Sequence, residues 1–207
     1  MSYKKIQTSG LIESPLHEAA KEKGTEHFMS WSNYNVIDRF KSLSNEEIKA
    51  DLKKNSFPYA VMCENILGDF NIATVIRNAN AFGAREFFYV GNKKYDKRGA
   101  CGTFYYIDVN WISDYKILLD LKEKYSFIGI DNVPGSISMN DYKFEGSKPP
   151  MIIFGEEGCG LTPQMLEICD SIVHIEQFGS VRSLNVGTAS GVIMNHVATL
   201  FNKNRRL

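Results

Sequence analysis

The stretch Met151-Ile152-Ile153-Phe154-Gly155-Glu156-Glu157-Gly158-Cys159-Gly160 passes from a short apolar run directly into a glycine-rich loop. An apolar run of this length, bounded by glycine, is typical of a buried strand. Similar runs alternate with amphipathic segments from Tyr59 onward. This alternation predicts an α/β fold with a mainly parallel sheet and helices on both faces. Ligands of such sheets bind beyond the carboxyl ends of the strands, which is where the glycine loop lies.

The same pattern divides the chain into an extension and a domain. Residues 1–57 are polar and mixed in charge, and we expect a helical N-terminal extension in which a Ser44-x-x-Glu47 capping box begins a helix over Glu46–Lys54. Residues 58–207 are expected to form the main domain. Its predicted strands are Tyr59–Cys63, Glu86–Val90, Phe127–Ile130, Met151–Phe154 and Ile172–Ile175. Its predicted helices are 71–82, one near 114–124, a short one after Pro163, and one from about 186 to 202.

The composition is that of a globular protein. A chain of 207 residues with 43% hydrophobic content can bury a full core. No stretch approaches the roughly 20 apolar residues that span a bilayer, and Met1–Gln7 leads into no apolar signal core, so we expect a cytoplasmic protein with no membrane association. The four cysteines and four histidines have neither ligand nor disulfide spacing. We therefore expect no metal site, and cysteines that are small buried residues in a reducing compartment.

Charge is balanced overall but uneven along the chain. The 24 basic and 24 acidic residues give a net charge of zero, which by itself argues against a nucleic-acid partner. Basic residues nevertheless cluster at Lys93–Arg98, with only Asp96 against them, and in the tail at Lys203, Arg205 and Arg206. These groups are interpreted either as a solvated loop and tail or as contacts to a nucleic-acid backbone.

The glycine loop favours a ligand other than a polyphosphate. Its G-x-x-G-x-G spacing differs from both the dinucleotide fingerprint and the phosphate loop. The adjacent carboxylates of Glu156 and Glu157 would repel a polyanion at close range, and they suit hydroxyl groups or a positive charge. The alternative is a tight turn in which the glycines only supply positive φ.

The predicted helix 71–82 carries one residue that its apolar stripe does not explain. The stripe consists of Ile72, Val75, Ile76, Ala79 and Phe82, and Gly83 is expected to end the helix. Arg77 falls off this stripe and shares its side with the small residues Ala73, Asn80 and Ala81. It is interpreted either as a solvated charge or as a guanidinium accessible in a concave site.

Polar residues also precede the last predicted helix. The segment Gln177–Asn185 contains a glycine bend, Arg182, and side chains that donate and accept hydrogen bonds. Ser183 or Asn185 can cap the helix, and this role is compatible with ligand contact.

Taken together, the three segments resemble the motifs of the SpoU (TrmH-like) family of RNA ribose 2′-O-methyltransferases, within the SPOUT superfamily, over residues 58–203. The part similar to the first motif is Glu64-Asn65 with Asn71, Arg77 and Ala81-Phe82-Gly83. The parts similar to the second and third motifs are Phe154-Gly155-x-Glu157-Gly158-x-Gly160-Leu161 and Ser183-Leu184-Asn185-Val186 with Ala189. Each motif alone is weak, and the three in this order and spacing are specific.

The resemblance implies a fold, a cofactor and an assembly. It implies a deep trefoil knot over about residues 150–203, which general rules of chain connection disfavour. It further implies S-adenosylmethionine bound in the knot and a homodimer with each site near the subunit interface. By position, the cofactor-binding residues would be Gly155, Ile175, Leu184, Phe154, Gly158 and Gln177. The catalytic surroundings would consist of Arg77, Asn71, Glu157, Ser183 and Asn185.

A homodimer is also expected from the last helix, which has an apolar face suited to a partner helix. This face consists of Val192, Ile193, Val197 and Leu200. The chain departs from the family pattern at Asn78 and Gly187, where the family often has Thr and Ser, and at Ile175-Glu176-Gln177, where it usually has Ile-Pro-Met. These departures bear on subfamily and substrate more than on the reaction.

The implied reaction is methylation of a ribose 2′-hydroxyl in structured RNA, tRNA or rRNA. We favour tRNA, because the extension, Lys93–Arg98 and the tail offer only a small contact surface. Arg77 acts either as a base after deprotonation or as a fork that binds a phosphate and orients the ribose. A non-catalytic SPOUT-like RNA-binding module and a base-nitrogen RNA methyltransferase are the alternative functions.

Overall fold

The computed structural model describes residues 36–65, 71–144 and 146–205. Residues from Ser44 onward form one compact unit, and the described residues before it contain a short 3-10 helix, Asp38–Phe40. The strands are β1 (Ala60–Asn65), β2 (Glu86–Gly91), β3 (Asp108–Ile112), β4 (Ser126–Ile130), β5 (Ile137–Ser138), β6 (Pro150–Phe154) and β7 (Ser171–His174). The helices are α1 (Asn45–Asn55), α2 (Asn71–Ala81), α3 (Tyr115–Lys124), α4 (Pro163–Ile168) and α5 (Val186–Arg205), with 3-10 helices at Arg98–Ala100 and Thr103–Tyr105. Most of the expected N-terminal extension lies outside the described residues.

The strands form one seven-stranded sheet in the order β3-β2-β1-β6-β4-β7-β5. Every pairing is parallel. The late strand β6 is inserted between two earlier ones, with Ile152 beside Val61 of β1 on one side and Ile128 of β4 on the other. Because the strands all point the same way, their carboxyl ends meet at one edge of the sheet. The predicted α/β class with a parallel sheet is confirmed.

Residues of β1 alternate between two cores, one on each face of the sheet. Val61 belongs to the first core, together with Ile76 of α2 and Met194 of α5. Met62 belongs to the second core, together with Leu121 of α3. All five side chains are at least nine-tenths buried. Helices therefore cover both faces of the sheet. Helices α2 and α5, which carry parts of the first and third motifs, lie on the same face.

Helix α1 begins with the predicted capping box. The amide of Glu47 donates to Ser44 Oγ at 3.3 Å, and the amide of Ser44 donates to Glu47 Oε2 at 2.8 Å. Further along α1, the ammonium groups of Lys49 and Lys53 lie 2.6 and 2.8 Å from the Asp108 carboxylate at the start of β3. The helix is thereby tied to the edge strand of the sheet.

Three sequence-based expectations about burial are wrong. Ala73, expected on an accessible helix side, is fully buried because α2 is covered on that side as well. Ile193 and Val197, expected to face a partner helix, lie in the chain's own core, while Val192 remains 38% exposed. Cys159, expected to be buried, is exposed in the loop after β6.

Candidate functional site

A cavity of about 240 Å³ opens at the carboxyl edge of the sheet, beyond β4, β6 and β7. Its walls come from the loops that follow these three strands. Two residues of the predicted catalytic set, Glu157 and Ser183, lie on these walls. So do the predicted cofactor-binding residues Phe154, Gly155, Gly158, Ile175, Gln177 and Leu184. The second and third motifs thus converge on a single cavity.

The loop after β6 is so tightly closed that Gly155 has no space for a side chain. A Cβ there would lie 2.1 Å from the carbonyl carbon of Gly160 and 2.3 Å from the nitrogen of Leu161. The closure comes from two backbone hydrogen bonds, Glu156 N to Gly160 O at 3.0 Å and Gly160 N to Glu156 O at 2.9 Å. Gly160 has φ +69°, a conformation that favours glycine. The loop is therefore both a tight turn and a part of the cavity wall.

Two carboxylates brace the same loop from the neighbouring strands. Asp131 Oδ2 accepts a hydrogen bond from Leu161 N at 2.8 Å. Glu64 accepts two from Thr162, from the amide at 2.8 Å and from the hydroxyl at 2.6 Å. Glu64 is buried, and its burial raises the pKa of this carboxyl, although the hydrogen bonds from Thr162 oppose the shift. Sequence reasoning missed Asp131, whose signal was a carboxylate directly after a predicted strand.

Three side chains from the three motifs meet at the rim of the cavity, and we call them the polar cluster. Asn71 begins α2, Glu157 lies in the loop after β6, and Asn185 precedes α5. Asn71 Nδ2 donates to Glu157 Oε2 at 2.8 Å. Asn185 Nδ2 lies 2.9 Å from both Glu157 Oε1 and Asn71 Oδ1. Residues more than one hundred positions apart in sequence are thus in direct contact.

Asn185 uses both ends of its amide. Its Oδ1 accepts a hydrogen bond from Thr188 N at 3.1 Å, which caps α5, while its Nδ2 faces the polar cluster. Hydrogen bonds from Asn185, and next from Asn71, lower the pKa of Glu157 below its usual range. Glu157 is therefore ionised at neutral pH, and it fixes the orientation of two amide groups. The capping and ligand-contact interpretations of Asn185 are compatible in this geometry.

The adjacent glutamates of the loop have different surroundings. Glu156 is buried below the loop, whereas Glu157 is exposed at the rim. Together with Asp131 they place three carboxylates around the cavity, against the guanidinium of Arg182. An excess of negative charge favours a cationic ligand over a polyphosphate.

Arg77 lies apart from the polar cluster. It is exposed on α2, and its Nη1 donates to Cys101 Sγ at 3.4 Å. Among the described residues, no hydrogen bond joins it to the three members of the cluster. Of the predicted catalytic set, the structure brings Asn71, Glu157 and Asn185 into contact, places Ser183 on the cavity wall, and leaves Arg77 outside.

Two of the three departures from the family pattern, Asn78 and Gly187, meet at the crossing of α2 and α5. Asn78 Nδ2 donates to Gly187 O at 2.9 Å and to Ser190 Oγ at 2.8 Å. A Cβ at Gly187 would lie 2.8 Å from Cγ2 of Thr74. The glycine lets α5 approach α2 closely, and the asparagine joins the two helices across this contact. Both departures act on helix packing and contribute no group to the cavity.

Metal sites and membrane-spanning helices are both absent from the described parts of the chain. Residues 36–65, 71–144 and 146–205 contain no group of three or more His, Cys, Asp or Glu side chains placed to hold a metal ion. In the same ranges, no helix is both long and apolar enough to cross a membrane.

Comparison with known proteins points to one family. The model of the SpoU rRNA Methylase family matches residues 58–195. The 23S rRNA (guanosine-2′-O-)-methyltransferase RlmB of Shewanella oneidensis is 26% identical over 201 residues, covering 87% of this chain and 81% of the relative. The tRNA (guanosine(18)-2′-O)-methyltransferase of Aquifex aeolicus is 24% identical over 154 residues, covering 72% of each chain.

The fold has solved counterparts. The crystal structure of the SpoU methyltransferase AviRb from Streptomyces viridochromogenes, in complex with the cofactor AdoMet, superposes with a TM-score of 0.61 at 24% identity. The likeness covers 68% of this chain and 57% of that one. At 24% identity, this likeness is evidence for a shared fold alone.

Proposed function

The chain belongs to the SpoU rRNA Methylase family, and from this membership we propose that it transfers a methyl group from S-adenosylmethionine to a ribose 2′-hydroxyl of structured RNA. The observation that carries the proposal is the polar cluster at the cavity rim, which draws one residue from each of three distant motifs. The curated relatives RlmB and the Aquifex enzyme are named for the same reaction on rRNA and tRNA.

The cavity fits the proposed cofactor in charge. Carboxylates surround it, and S-adenosylmethionine carries a sulfonium cation. At Gly155 and Gly160 the cavity wall carries no side chain, so the peptide groups of the loop form that part of the wall. The cofactor would be held by Phe154, Gly155, Gly158, Ile175, Gln177 and Leu184. When bound, it supplies an activated methyl group.

The polar cluster is proposed to position the ribose. Glu157 is ionised and holds the amides of Asn71 and Asn185 in fixed orientations at the rim. Ser183 on the wall adds a hydroxyl. Methyl transfer needs the attacking oxygen aligned with the departing group, so a rigid set of polar groups can supply much of the acceleration.

Arg77 has two proposed roles, that of a base after deprotonation and that of a fork that binds a phosphate and orients the ribose. A guanidinium stays protonated near neutrality, which favours the fork. A pH–rate profile of the Arg77→Lys enzyme separates the two roles. A fork predicts slower turnover with the same profile, whereas a base predicts a profile shifted by the new amine. Near-normal turnover with an unchanged profile would contradict both.

We propose that the enzyme is a homodimer in which Arg77 completes the site of the partner. The support is that Arg77 is separate from the polar cluster of its own chain. Mixing inactive Arg77→Ala and Asn185→Ala subunits is then expected to restore activity, because each mixed dimer contains one site with both residues. No recovery after subunit exchange, or an active monomer in light scattering, would contradict this arrangement.

The knot is also part of the proposal. The chain passes from β7 through the segment 175–185 to α5, and this segment is held by hydrogen bonds of Asn132 Nδ2 and Gln177 Nε2 to Arg182 O, both at 3.3 Å. The insertion of β6 between β1 and β4 is compatible with a threaded chain. A crystal structure traced from residue 125 to 205 tests the crossing directly.

Transfer RNA is the proposed substrate in preference to ribosomal RNA. Lys93, Lys94 and Lys97 and the basic residues of the tail offer few phosphate contacts, which suits a compact RNA with one exposed loop nucleotide. Charge reversal at the three lysines is expected to weaken tRNA binding and flatten its salt dependence, with cofactor affinity unchanged. Methylation of naked ribosomal fragments but of no tRNA would contradict the preference.

The decisive test of the reaction is chemical. Purified enzyme, labelled S-adenosylmethionine and separate tRNA and rRNA fractions are incubated, and the RNA is digested to nucleosides for mass spectrometry. A 2′-O-methylated nucleoside is expected, with the Asn185→Ala enzyme as control. Base-methylated nucleosides would indicate a base-nitrogen methyltransferase. RNA binding without cofactor binding in calorimetry would indicate a non-catalytic module.

A further inference from the structure

The segment between β2 and β3, together with β3 itself, presents aromatic rings and cations that we call the aromatic platform. It consists of Lys93, Lys97, Phe104, Tyr105 and Trp111. Lys93 Nζ lies 4.8 Å above the Trp111 ring, and Lys97 Nζ lies 5.3 Å from the Phe104 ring centre. The Phe104 and Tyr105 rings are 4.5 Å apart at 48°. Each cation is thus positioned on a ring within the distance of a cation–π interaction.

Two rings of the platform are exposed to solvent. Tyr105 is 57% exposed and Trp111 is 37% exposed. Both are fixed in place, since Tyr105 leans on Phe104 and the indole Nε1 of Trp111 donates to Gly91 O at 3.0 Å. A fixed, exposed ring loses little conformational freedom when a second planar group stacks on it.

The platform adjoins the arginine that the polar cluster leaves out. The 3-10 helices at Arg98–Ala100 and Thr103–Tyr105 both pack against α2, the helix of Arg77. Cys101 lies between these two turns, and its Sγ accepts the hydrogen bond from Arg77 Nη1. A ligand bound to the platform would therefore lie beside Arg77.

The charges of this surface select the class of ligand. The ammonium groups of Lys93 and Lys97 accompany the rings, while Arg98 is neutralised by Asp96 at 2.5 Å. Planar rings bordered by cations are complementary to nucleobases on a phosphate backbone. A base offers its face to such a ring only when it is unpaired, because stacking within a duplex hides both faces.

We propose that the aromatic platform, with Tyr105 as its exposed ring, stacks an unpaired base of the RNA that flanks the nucleotide presented to Arg77. The proposal rests on the proposed function for the nearby site, and it assigns a specificity-determining residue that none of the three motifs contains. The enzyme would thereby distinguish a loop nucleotide from the same nucleotide in a duplex.

The test compares Tyr105→Ala with Tyr105→Phe in the full chain. The probe is a short fluorescently labelled oligoadenylate, alone and annealed to oligouridylate, and binding is measured by anisotropy. Alanine should weaken binding of the single strand at least about fivefold, phenylalanine should retain it, and the duplex should respond to neither change. The matched control is Leu119→Ala, which removes an apolar side chain of α3 that is 45% exposed.

Several outcomes would overturn the proposal. One is equal binding of the single strand by the wild type and by Tyr105→Ala. Another is a loss of duplex binding in Tyr105→Ala that equals its loss of single-strand binding. A third is a change in the mass of the Tyr105→Ala protein in light scattering, which would assign Tyr105 to a protein interface. Methyl-transfer assays separate this proposal from the function itself. If the wild type methylates RNA and Tyr105→Ala has an unchanged KM for RNA, stacking fails while the function stands. If oligoadenylate binding depends on the ring but no RNA is methylated, stacking stands and the function fails.

Discussion

The two sides of the candidate site are built in different ways. On the cavity side, Gly155 has no room for a Cβ, the buried Glu64 and the Asp131 carboxylate brace one short loop, and nearly every group is fixed by its own chain. On the other side, Arg77 is exposed and donates one hydrogen bond, to the Cys101 thiol. The first side is complete in a single chain, whereas the second is open.

This difference separates two tasks. A small cofactor needs a preformed cavity, since its binding free energy cannot reshape a loop that is packed to van der Waals contact. A macromolecular substrate can itself complete a site, because it brings a large surface and many contacts. Substitutions on the closed side should therefore alter cofactor binding and stability, and substitutions on the open side should alter RNA binding and turnover.

The largest effect is expected from Gly155→Ala, which tests how closed the cavity side is. The new Cβ would lie 2.1 Å from the carbonyl carbon of Gly160, so the loop must move. Overpacking costs roughly 1–3 kcal/mol, and we expect cofactor affinity in calorimetry to fall by about 100-fold. Gly179→Ala, where no atom lies within 4 Å, is the control. Unchanged affinity in the Gly155 variant would mean that the loop is adaptable.

The next effect concerns the polar cluster, where the two sides meet. Asn185→Ala and Glu157→Ala should each reduce turnover at least about tenfold, or roughly 1.4 kcal/mol, with the fold retained in circular dichroism. Asn185→Asp keeps an acceptor for Thr188 N but loses the donor to Glu157. It should therefore be as slow as alanine yet keep the helix cap. The control is Glu167→Ala, which removes an exposed carboxylate on α4. Wild-type turnover in the cluster variants, or equal slowing by the control, would remove the cluster from the mechanism.

A smaller effect distinguishes the buried carboxylate from the exposed one by pH. The pKa of Glu64 is raised by burial, so its favourable contribution is present below about 4.5 and is lost as pH rises through its folded value. The pKa of Glu157 is lowered by hydrogen bonds, so its contribution is present above about 4.5 and is lost as pH falls. Relative to wild type, Glu64→Gln should gain stability with rising pH, and Glu157→Gln should lose it. Denaturant titrations at pH values below and above about 4.5 measure how the stability of each variant relative to wild type changes with pH. Changes of the same sign in the two variants would contradict the assignment.

The smallest effect is expected at the crossing of α2 and α5. Gly187→Ser restores the residue usual in the family, but its Cβ would lie 2.8 Å from Cγ2 of Thr74. We expect a loss of about 1 kcal/mol of unfolding free energy, because overpacking outweighs the better helix propensity of serine. Adding Thr74→Ala should recover most of this loss in a double-mutant cycle. Additive effects would show that the two positions do not compete for space.

The closed side was more predictable from sequence than the open one. Its strands are apolar runs, and the glycine loop and its glutamates stand next to each other in the chain, so local pattern located the cavity. The edge strand β3 was missed because it is not a continuous apolar run, since Asp108 and Asn110 alternate with Val109 and Trp111, and β5 was missed because two residues carry no periodicity. The contact of Arg77 with Cys101 depends on a turn with φ 47° at a non-glycine residue, which no local preference indicates.

Strand order was equally beyond the reach of local pattern. Parallel neighbours are chosen by long-range packing, and nothing within Pro150–Phe154 says that it lies between β1 and β4. The same limit explains the error at Ile193 and Val197 of α5. An apolar helix face has the same periodicity whether it meets a partner or its own sheet.

The central position of β6 also has a consequence for synthesis of the chain. Strands β1 and β4 leave the ribosome first, yet neither has its inner neighbour until Pro150–Phe154 follows. Up to that point β1 has one unpaired apolar edge, and β4 has neither of its sheet neighbours, because β7 follows β6 in the chain. Unpaired edges of this kind recruit chaperones. The loop that shapes the cavity, residues 155–160, emerges directly behind the strand that joins these edges. A ribosome that stalled shortly before this strand would therefore display an aggregation-prone half-sheet, and synthesis of β6 would join β1 to β4 and begin the cavity, with the other edge of β4 left for β7.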